Sequence, residues 1–230
     1  MTASASPITT VIFDFDGVIA DTEGLHLRAF QEVLERRGWR LDERDYFDRY
    51  LGYDDQGMVA AFVQEHSLQV ADEDLDAMVR EKTELFARYV EAGDVVFPTA
   101  PACIARLAPA YRLGIASGAL KAEIISILES AGLRGHFPVI VAADDVKETK
   151  PSPEPYLTAA KALGVDPAVC VAIEDSPPGL AAARAAGMRT IGLTTTSPRE
   201  ALHDAELVFD GLHQISAETI AKLGRAPRSS

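Results

Sequence analysis

The chain has 230 residues, 47% of them hydrophobic and 25% charged, which suits a folded protein with one good core and a smaller second unit and excludes wholesale disorder. A formal net charge of −13 excludes nucleic acid and anionic membrane surfaces as natural partners, because the field of the whole molecule would repel both. No apolar run is long enough to span a bilayer, and the two cysteines, Cys103 and Cys170, lie in apolar surroundings that suit buried thiols in a reducing compartment rather than a disulfide.

Residues 1–7 are small and uncharged, without the basic and apolar segments of a secretory leader, and read as a frayed terminus of a cytoplasmic protein. Residues 8–13 are almost all β-branched or aromatic, the composition of a buried strand, and Gly17 then lets the chain leave extended geometry. The strand ends in carboxylates. Alternate side chains of an extended chain share a face, so Asp14 and Asp16 point the same way while Phe13 and Phe15 point into packing. Two acids held that close ask for a divalent cation or a shared proton, unless the segment is simply a solvated acidic turn.

From Thr22 the pattern is helical. Leu25, Ala29, Phe30, Val33 and Leu34 recur at helix spacing up to Gly38. Asp42 caps a short helix to about Tyr50, Gly52 breaks it, and Asp54 or Asp55 caps the next, with Val59, Phe62 and Val63 as its apolar stripe. The longest helix covers residues 72–92 and stops at Gly93. A wholly helical block between strand-bearing segments is a separate subdomain inserted after the first strand, so residues 1–21 and 94–230 form the core domain and residues 22–93 the inserted one.

Beyond Pro98 helix and strand alternate. Residues 101–110 read as helix, 112–116 as strand, 119–131 as helix, 139–142 as strand and 153–163 as helix. Strands at 169–173, 190–193 and 207–209 follow, with an Ala-rich helix at 178–186, and the tail from Gly224 reads as disordered. This is an α/β chain with a parallel sheet covered on both faces, whose ligands bind at the carboxyl ends of the strands.

Four strand ends carry a coherent set. The first offers Asp14 and Asp16. The second is Ser117-Gly118, where a hydroxyl and amides opening a helix make an anion site, although the pair also serves as an ordinary helix cap. The third is Lys150, flanked by Pro151, Pro153 and Pro155, which stiffen the backbone beside it. The fourth is Glu174-Asp175, with Ser176 to cap the next helix; a regular strand would send the two acids to opposite sides.

In this order, the set resembles the haloacid dehalogenase-like phosphatases and phosphomutases, in particular the branch around β-phosphoglucomutase with a helical cap after the first motif. Asp14-Phe-Asp16-Gly-Val-Ile-Ala-Asp21-Thr-Glu23, Ala116-Ser117-Gly118, Lys150-Pro151-Ser-Pro-Glu-Pro-Tyr156 and Glu174-Asp175-Ser176-Pro-Pro-Gly179 look like that family's four motifs. The resemblance implies a doubly wound, Rossmann-like core with an all-helical cap. It implies Asp14 as nucleophile, Asp16 as acid and base, and Ser117, Gly118 and Lys150 on the phosphoryl group. It also implies Mg2+ held by Asp14, the Asp16 backbone, Glu174 and Asp175, and it suggests that His26 approaches the substrate, against the plainer alternative of a packed helix histidine.

Phosphoryl transfer spreads charge over oxygens that a cation, Lys150 and backbone amides can stabilise. The implied ligands are all oxygens, which suits magnesium and leaves no nitrogen or sulfur set for zinc. The expected enzyme is a monomeric phosphatase acting on a small phosphorylated metabolite. Short connections near residues 21–22 and 93–98 would let the cap close as a lid. A phosphomutase is the alternative; a dehalogenase would leave Asp16 and Asp175 without purpose, and a non-catalytic relative would be expected to have lost a member of the set. A mutase needs a cationic grip on a second phosphate, and only Arg49 lies near the stretch where the likeness calls for one. Residues 22–97 carry 18 acids against 9 Lys and Arg, which disfavours a second anionic group.

Overall fold

A computed structural model describes residues 7–50, 53, 55–92 and 95–226. The expectations for the first six residues, for breaks at Gly52 and Gly93, for a cap at Asp54 and for the final four residues lie outside the described residues. The chain divides into two compact units, one joining residues up to Asp21 with those from Val95, the other within Thr22–Asp94.

The first unit is built on a six-stranded sheet in the order β3-β2-β1-β4-β5-β6, with β1 at Thr10–Phe13, β2 at Arg112–Ala116, β3 at Val139–Val141, β4 at Cys170–Glu174, β5 at Arg189–Leu193 and β6 at Leu207–Phe209. Every pairing is parallel. Strands β1, β4 and β5 are buried along their whole length, so their apolar residues do not alternate with exposed polar ones, and the polar Thr10, Glu174, Arg189 and Thr190 within them are buried too. Strand order reverses between β1 and β4, and in such sheets the crevice at that reversal is the binding position. Phe13 lies opposite Ile115 on one side and Ile173 on the other, so the residues after these three strands emerge at the same edge.

Helices α5 (Ala100–Leu107), α6 (Lys121–Ser130), α7 (Glu154–Leu163), α8 (Pro177–Ala185) and α9 (Ala217–Arg225) belong to this unit. Ala159 and Ala160 of α7, with Ala182 and Ala183 of α8, are small enough to bring both helices close to Ile12, Ala116 and Ala172 of the sheet. Gly114 serves the same end, since a Cβ there would stand 3.0 Å from the Leu163 side chain. Cys103 and Cys170 are free and buried. Among the described residues no helix is long and apolar enough to cross a membrane.

Two local expectations change. The first strand opens at Thr10 rather than residue 8, and Ile8 instead packs against Gly224. Residues expected to be disordered from Gly224 belong in part to α9, whose Ser216 Oγ accepts the Thr219 amide and whose Ile220 and Leu223 are buried. A capped helix with one apolar face stays attached because that face is removed from water.

The second unit is entirely helical among its described residues. It holds α1 (Glu23–Glu35), α2 (Glu43–Asp45) running into a π-turn at Tyr46–Tyr50, α3 (Asp55–Glu65) and α4 (Asp72–Ala92). The Leu27, Phe30, Val33 and Leu34 face of α1 packs with α4, where Met78, Leu85 and Phe86 are buried. Gly38, at φ +77°, closes α1 by reversing the chain, its amide bonded to the Glu35 carbonyl.

If α9 is an integral part of the core, Ile220→Ala lowers stability by about 2–5 kcal/mol in urea unfolding. A change below about 0.5 kcal/mol, the usual size for an exposed surface site, would show that the helix is merely laid on the surface.

Candidate active site

The Asp14 amide donates to the Ile173 carbonyl at 2.9 Å, so the first acid after β1 is tied to β4. A tight turn follows, in which the Phe15 carbonyl takes the amides of Ile19 and Ala20 at 2.8 and 3.0 Å and Gly17 stands at φ +73°. Gly17 is required twice over, because a Cβ there would also meet the Asp175 carboxylate at 2.0 Å. Asp16 is half-buried on this turn. Burial holds the Asp14 carboxyl well above the usual carboxylate range; Glu174 pushes it further, Lys150 opposes the rise, and Asp175 and then Asp16 add smaller upward contributions.

Lys150 is the counter-charge. Its Nζ lies 2.7 Å from Asp14 Oδ1 and 2.6 Å from Glu174 Oε1, with the Tyr156 ring below it at 5.2 Å. Burial by itself would lower the lysine pKa, but Asp14 and Glu174 outweigh it and the ammonium is held charged. The Tyr156 hydroxyl donates to the same Glu174 oxygen at 2.8 Å, while Glu174 Oε2 accepts the Asp175 amide at 3.2 Å, the Ser176 amide at 3.4 Å and the Ser176 hydroxyl at 3.0 Å. Ser176 Oγ in turn caps α8 by accepting the Gly179 amide. Gly179 has no substitute here, since a Cβ would stand 1.9 Å from the Glu174 carboxylate.

The strand does not stay regular at its end, and Asp175 therefore faces the same site as Glu174. One oxygen each of Asp14, Glu174 and Asp175 lie within 4.8 Å of one another, and all three residues are buried. Burial and then Glu174 push the Asp175 carboxyl up to about 7, against the pull of Thr196, whose hydroxyl donates to Asp175 Oδ2. Three buried carboxylates facing one ammonium leave an excess of negative charge that a divalent cation matches, and the donors are all oxygens. The residues present fit a hard divalent cation.

Ser117 follows β2 at the same edge, buried, its amide donated to the Val141 carbonyl at 2.9 Å and its Oγ accepting the Ala119 amide at 3.0 Å. Helix α6 opens only at Lys121, so the expected helix-start amides are not those of Ser117 and Gly118, which lie in the preceding loop. A side chain at Gly118 would meet nothing within 4 Å.

His26 and Arg49 belong to the helical unit and are engaged within it. The His26 ring stacks on Phe86 at 4.2 Å, and its Nδ1 lies 2.7 Å from Lys82 Nζ. Burial and the Lys82 charge hold its imidazole well below the ordinary histidine value, hence neutral. Lys82 is itself completely buried and meets both oxygens of Asp55 at 2.6 and 2.7 Å. Arg49 pairs with Glu65 and, at 3.8 Å, with Asp45.

Sequence reading passed over the Tyr156 hydroxyl, Thr195, Thr196 and Lys82. Thr195 Oγ1 donates to the Gly17 carbonyl and Thr196 Oγ1 to Asp175, so both brace the acidic loops from the end of β5. The signal was present, as three hydroxyl residues follow a buried strand whose end faces the site.

Residues 11–193 match the family model for haloacid dehalogenase-like hydrolases. The fructose-1-phosphate phosphatase YqaB of Escherichia coli (strain K12) is 36% identical over 193 residues, which cover 79% of this chain and 94% of that protein. A mutant of CbbY from Rhodobacter sphaeroides, solved in complex with xylulose-(1,5)bisphosphate, superposes with a TM-score of 0.83 at 30% identity, covering 93% of this chain and 99% of that one. β-Phosphoglucomutase from Clostridium difficile superposes with a TM-score of 0.82 at 26% identity, covering 94% and 97%.

Because a Cβ at position 179 would displace the Glu174 carboxylate, Gly179→Ala is expected to leave a folded protein whose affinity for a divalent cation falls about 10- to 100-fold, as for loss of an outer-shell support. Calorimetric titration with the cation checks this, and unchanged affinity would mean that Glu174 takes no part in holding it.

Proposed function

The chain belongs to the haloacid dehalogenase-like hydrolases and is a phosphatase of that family, and we propose that it uses magnesium to hydrolyse a small organic phosphomonoester, a sugar phosphate or similar, through an aspartyl phosphate, the acyl phosphate of Asp14. The observation that carries the proposal is the Asp14–Lys150–Glu174 bridge with Asp175 beside it, a nucleophile and its charge partners buried at the sheet's switch point.

In this reading an Asp14 carboxylate oxygen attacks phosphorus and the bond to the substrate's ester oxygen breaks. Asp16 gives that leaving oxygen a proton. A water then attacks the phosphorylated Asp14, Asp16 takes the water's proton, and inorganic phosphate departs with the carboxylate restored. Ser117 and Lys150 hold the phosphoryl oxygens, the lysine as a permanent charge and the serine through its hydroxyl hydrogen, since its oxygen already accepts from Ala119. Magnesium held by Asp14, Glu174, Asp175 and the Asp16 backbone would supply further charge stabilisation of the transferring group. The substrate is a small phosphorylated metabolite, and the enzyme works as a monomer in the cytoplasm, where Cys103 and Cys170 stay reduced.

The phosphomutase alternative requires a cation in the helical unit free to hold a second phosphate. Arg49 is instead paired with Glu65 and Asp45, which supports hydrolysis. Conversion of glucose 1-phosphate to glucose 6-phosphate, abolished by Arg49→Ala, would favour the alternative.

Release of phosphate from a generic aryl phosphate and from a panel of sugar phosphates is expected with Mg2+ and lost on its removal or in Asp14→Asn. Asp16→Asn lowers kcat by about a hundred- to ten-thousand-fold with a smaller change in KM. Turnover surviving either Asp14→Asn or removal of the metal would refute the mechanism.

The proton held by Asp175 at about 7 must leave before the carboxylate can ligate. The raised value therefore weakens metal binding as pH falls through it. Apparent Mg2+ affinity drops at least about tenfold between about pH 8 and about pH 6, which calorimetry at fixed ionic strength measures. A flat profile would mean that Asp175 does not hold the ion.

A further inference from the structure

The loop that carries Lys150 is closed on itself by a side chain to which the proposed chemistry gives no task. Glu154 opens α7, and its two carboxylate oxygens accept separate backbone amides, Oε1 from Lys147 at 3.1 Å and Oε2 from Glu148 at 3.0 Å. Within the segment so closed, the Ser152 amide donates to the Thr149 carbonyl at 3.0 Å, and Ser152 Oγ accepts the Glu154 amide at 3.3 Å. Lys150 sits in the middle of this ring of contacts. Its ammonium has to reach Asp14, just past β1, and Glu174, the last residue of β4, and a long flexible side chain keeps such a double contact only if its backbone is fixed.

An acid at a helix start ordinarily reads as a partner of the helix dipole. That role needs neither two oxygens nor two amides six and seven residues upstream, and here both oxygens are committed to the loop rather than to the helix's own amides. We infer that Glu154 is a positioning residue for Lys150, a bidentate clamp that holds the lysine loop so that the ammonium meets the transferring phosphoryl group. The inference rests on the phosphoryl-binding role given to Lys150 above.

Glu154→Gln keeps the side chain's length but offers one acceptor oxygen and turns an NH2 toward an amide donor, so at least one of the two amides loses its partner. The expected result is a fall in kcat on an aryl phosphate of about tenfold to a hundredfold, the scale of a small misplacement, with the melting temperature little changed. Amide hydrogen exchange at residues 147–150 speeds up, and Glu154→Asp, which keeps two oxygens, recovers part of the rate. In a Lys150→Ala background Glu154→Gln costs no further affinity for inorganic phosphate, measured by calorimetry on the magnesium-loaded protein. Full kcat in Glu154→Gln despite faster exchange, a rate loss that tracks lost stability, or an equal further loss of phosphate affinity without Lys150 would each overturn the positioning role. If the native protein releases no phosphate, or if Lys150→Ala is fully active, the reading of the site fails and this inference falls with it. If the native protein releases phosphate, Lys150→Ala is impaired and Glu154→Gln is not, only the clamp is wrong.

Discussion

Lys150 stands between Asp14 and Glu174 at 2.7 and 2.6 Å, in a place where both carboxylates are nearly out of water. Withdrawing an ion from water costs on the order of several kcal/mol even after the protein relaxes, so such a cluster survives only if nearly every lone pair finds a donor. Glu174 shows how this is done. One oxygen takes Lys150 and the Tyr156 hydroxyl, and the other takes two backbone amides and the Ser176 hydroxyl. Glycines at 17 and 179 then admit the carboxylates of Asp175 and Glu174 into space that any side chain would fill.

The sheet makes the convergence possible. Asp14, Ser117 and Glu174 lie far apart in the chain, yet parallel in-register pairing of β1 with β2 and β4 brings the residues at the carboxyl ends of these strands to one edge. A parallel sheet must be covered on both faces, and the alanines of α7 and α8 with Gly114 let its helices approach closely enough to do so. The same packing fixes where each helix begins, and hence where Ser176 and Glu154, at the starts of α8 and α7, are held relative to the acids.

That logic explains what could be read without coordinates. Runs of β-branched residues alternating with helical stripes marked the parallel sheet, and the strand-end rule then selected Asp14 and Glu174, which Lys150 bridges from a loop well past the end of β3 rather than from a strand end. Contacts that depend on the path of a loop were not legible. Asp175 joins Glu174 on one side only because the strand stops being regular, and Thr196 reaches Asp175 from a strand end that carries no acid or lysine. The helix of Ala217–Arg225 hid beside a polar tail. Neither could sequence spacing disclose that Lys82, 56 residues beyond His26, would set its hydrogen onto that ring nitrogen.

The two units each bury a lysine, and they differ in how the charge is answered. Lys82 has Asp55 as its ion partner and a neutral imidazole as its second, with the rings of Phe30 and Phe86 beside it; among the described residues one carboxylate answers its charge. Lys150 faces Asp14 and Glu174 directly with Asp175 alongside, so its single charge is outnumbered and burial leaves two carboxyls, Asp14 and Asp175, raised far above their ordinary range. A neutralised buried pair has its charge already answered and can specify a packing arrangement. An unbalanced one stores unfavourable charge that only a cation brought in from outside, or protonation, relieves, and such imbalance is what marks a site for chemistry rather than for folding.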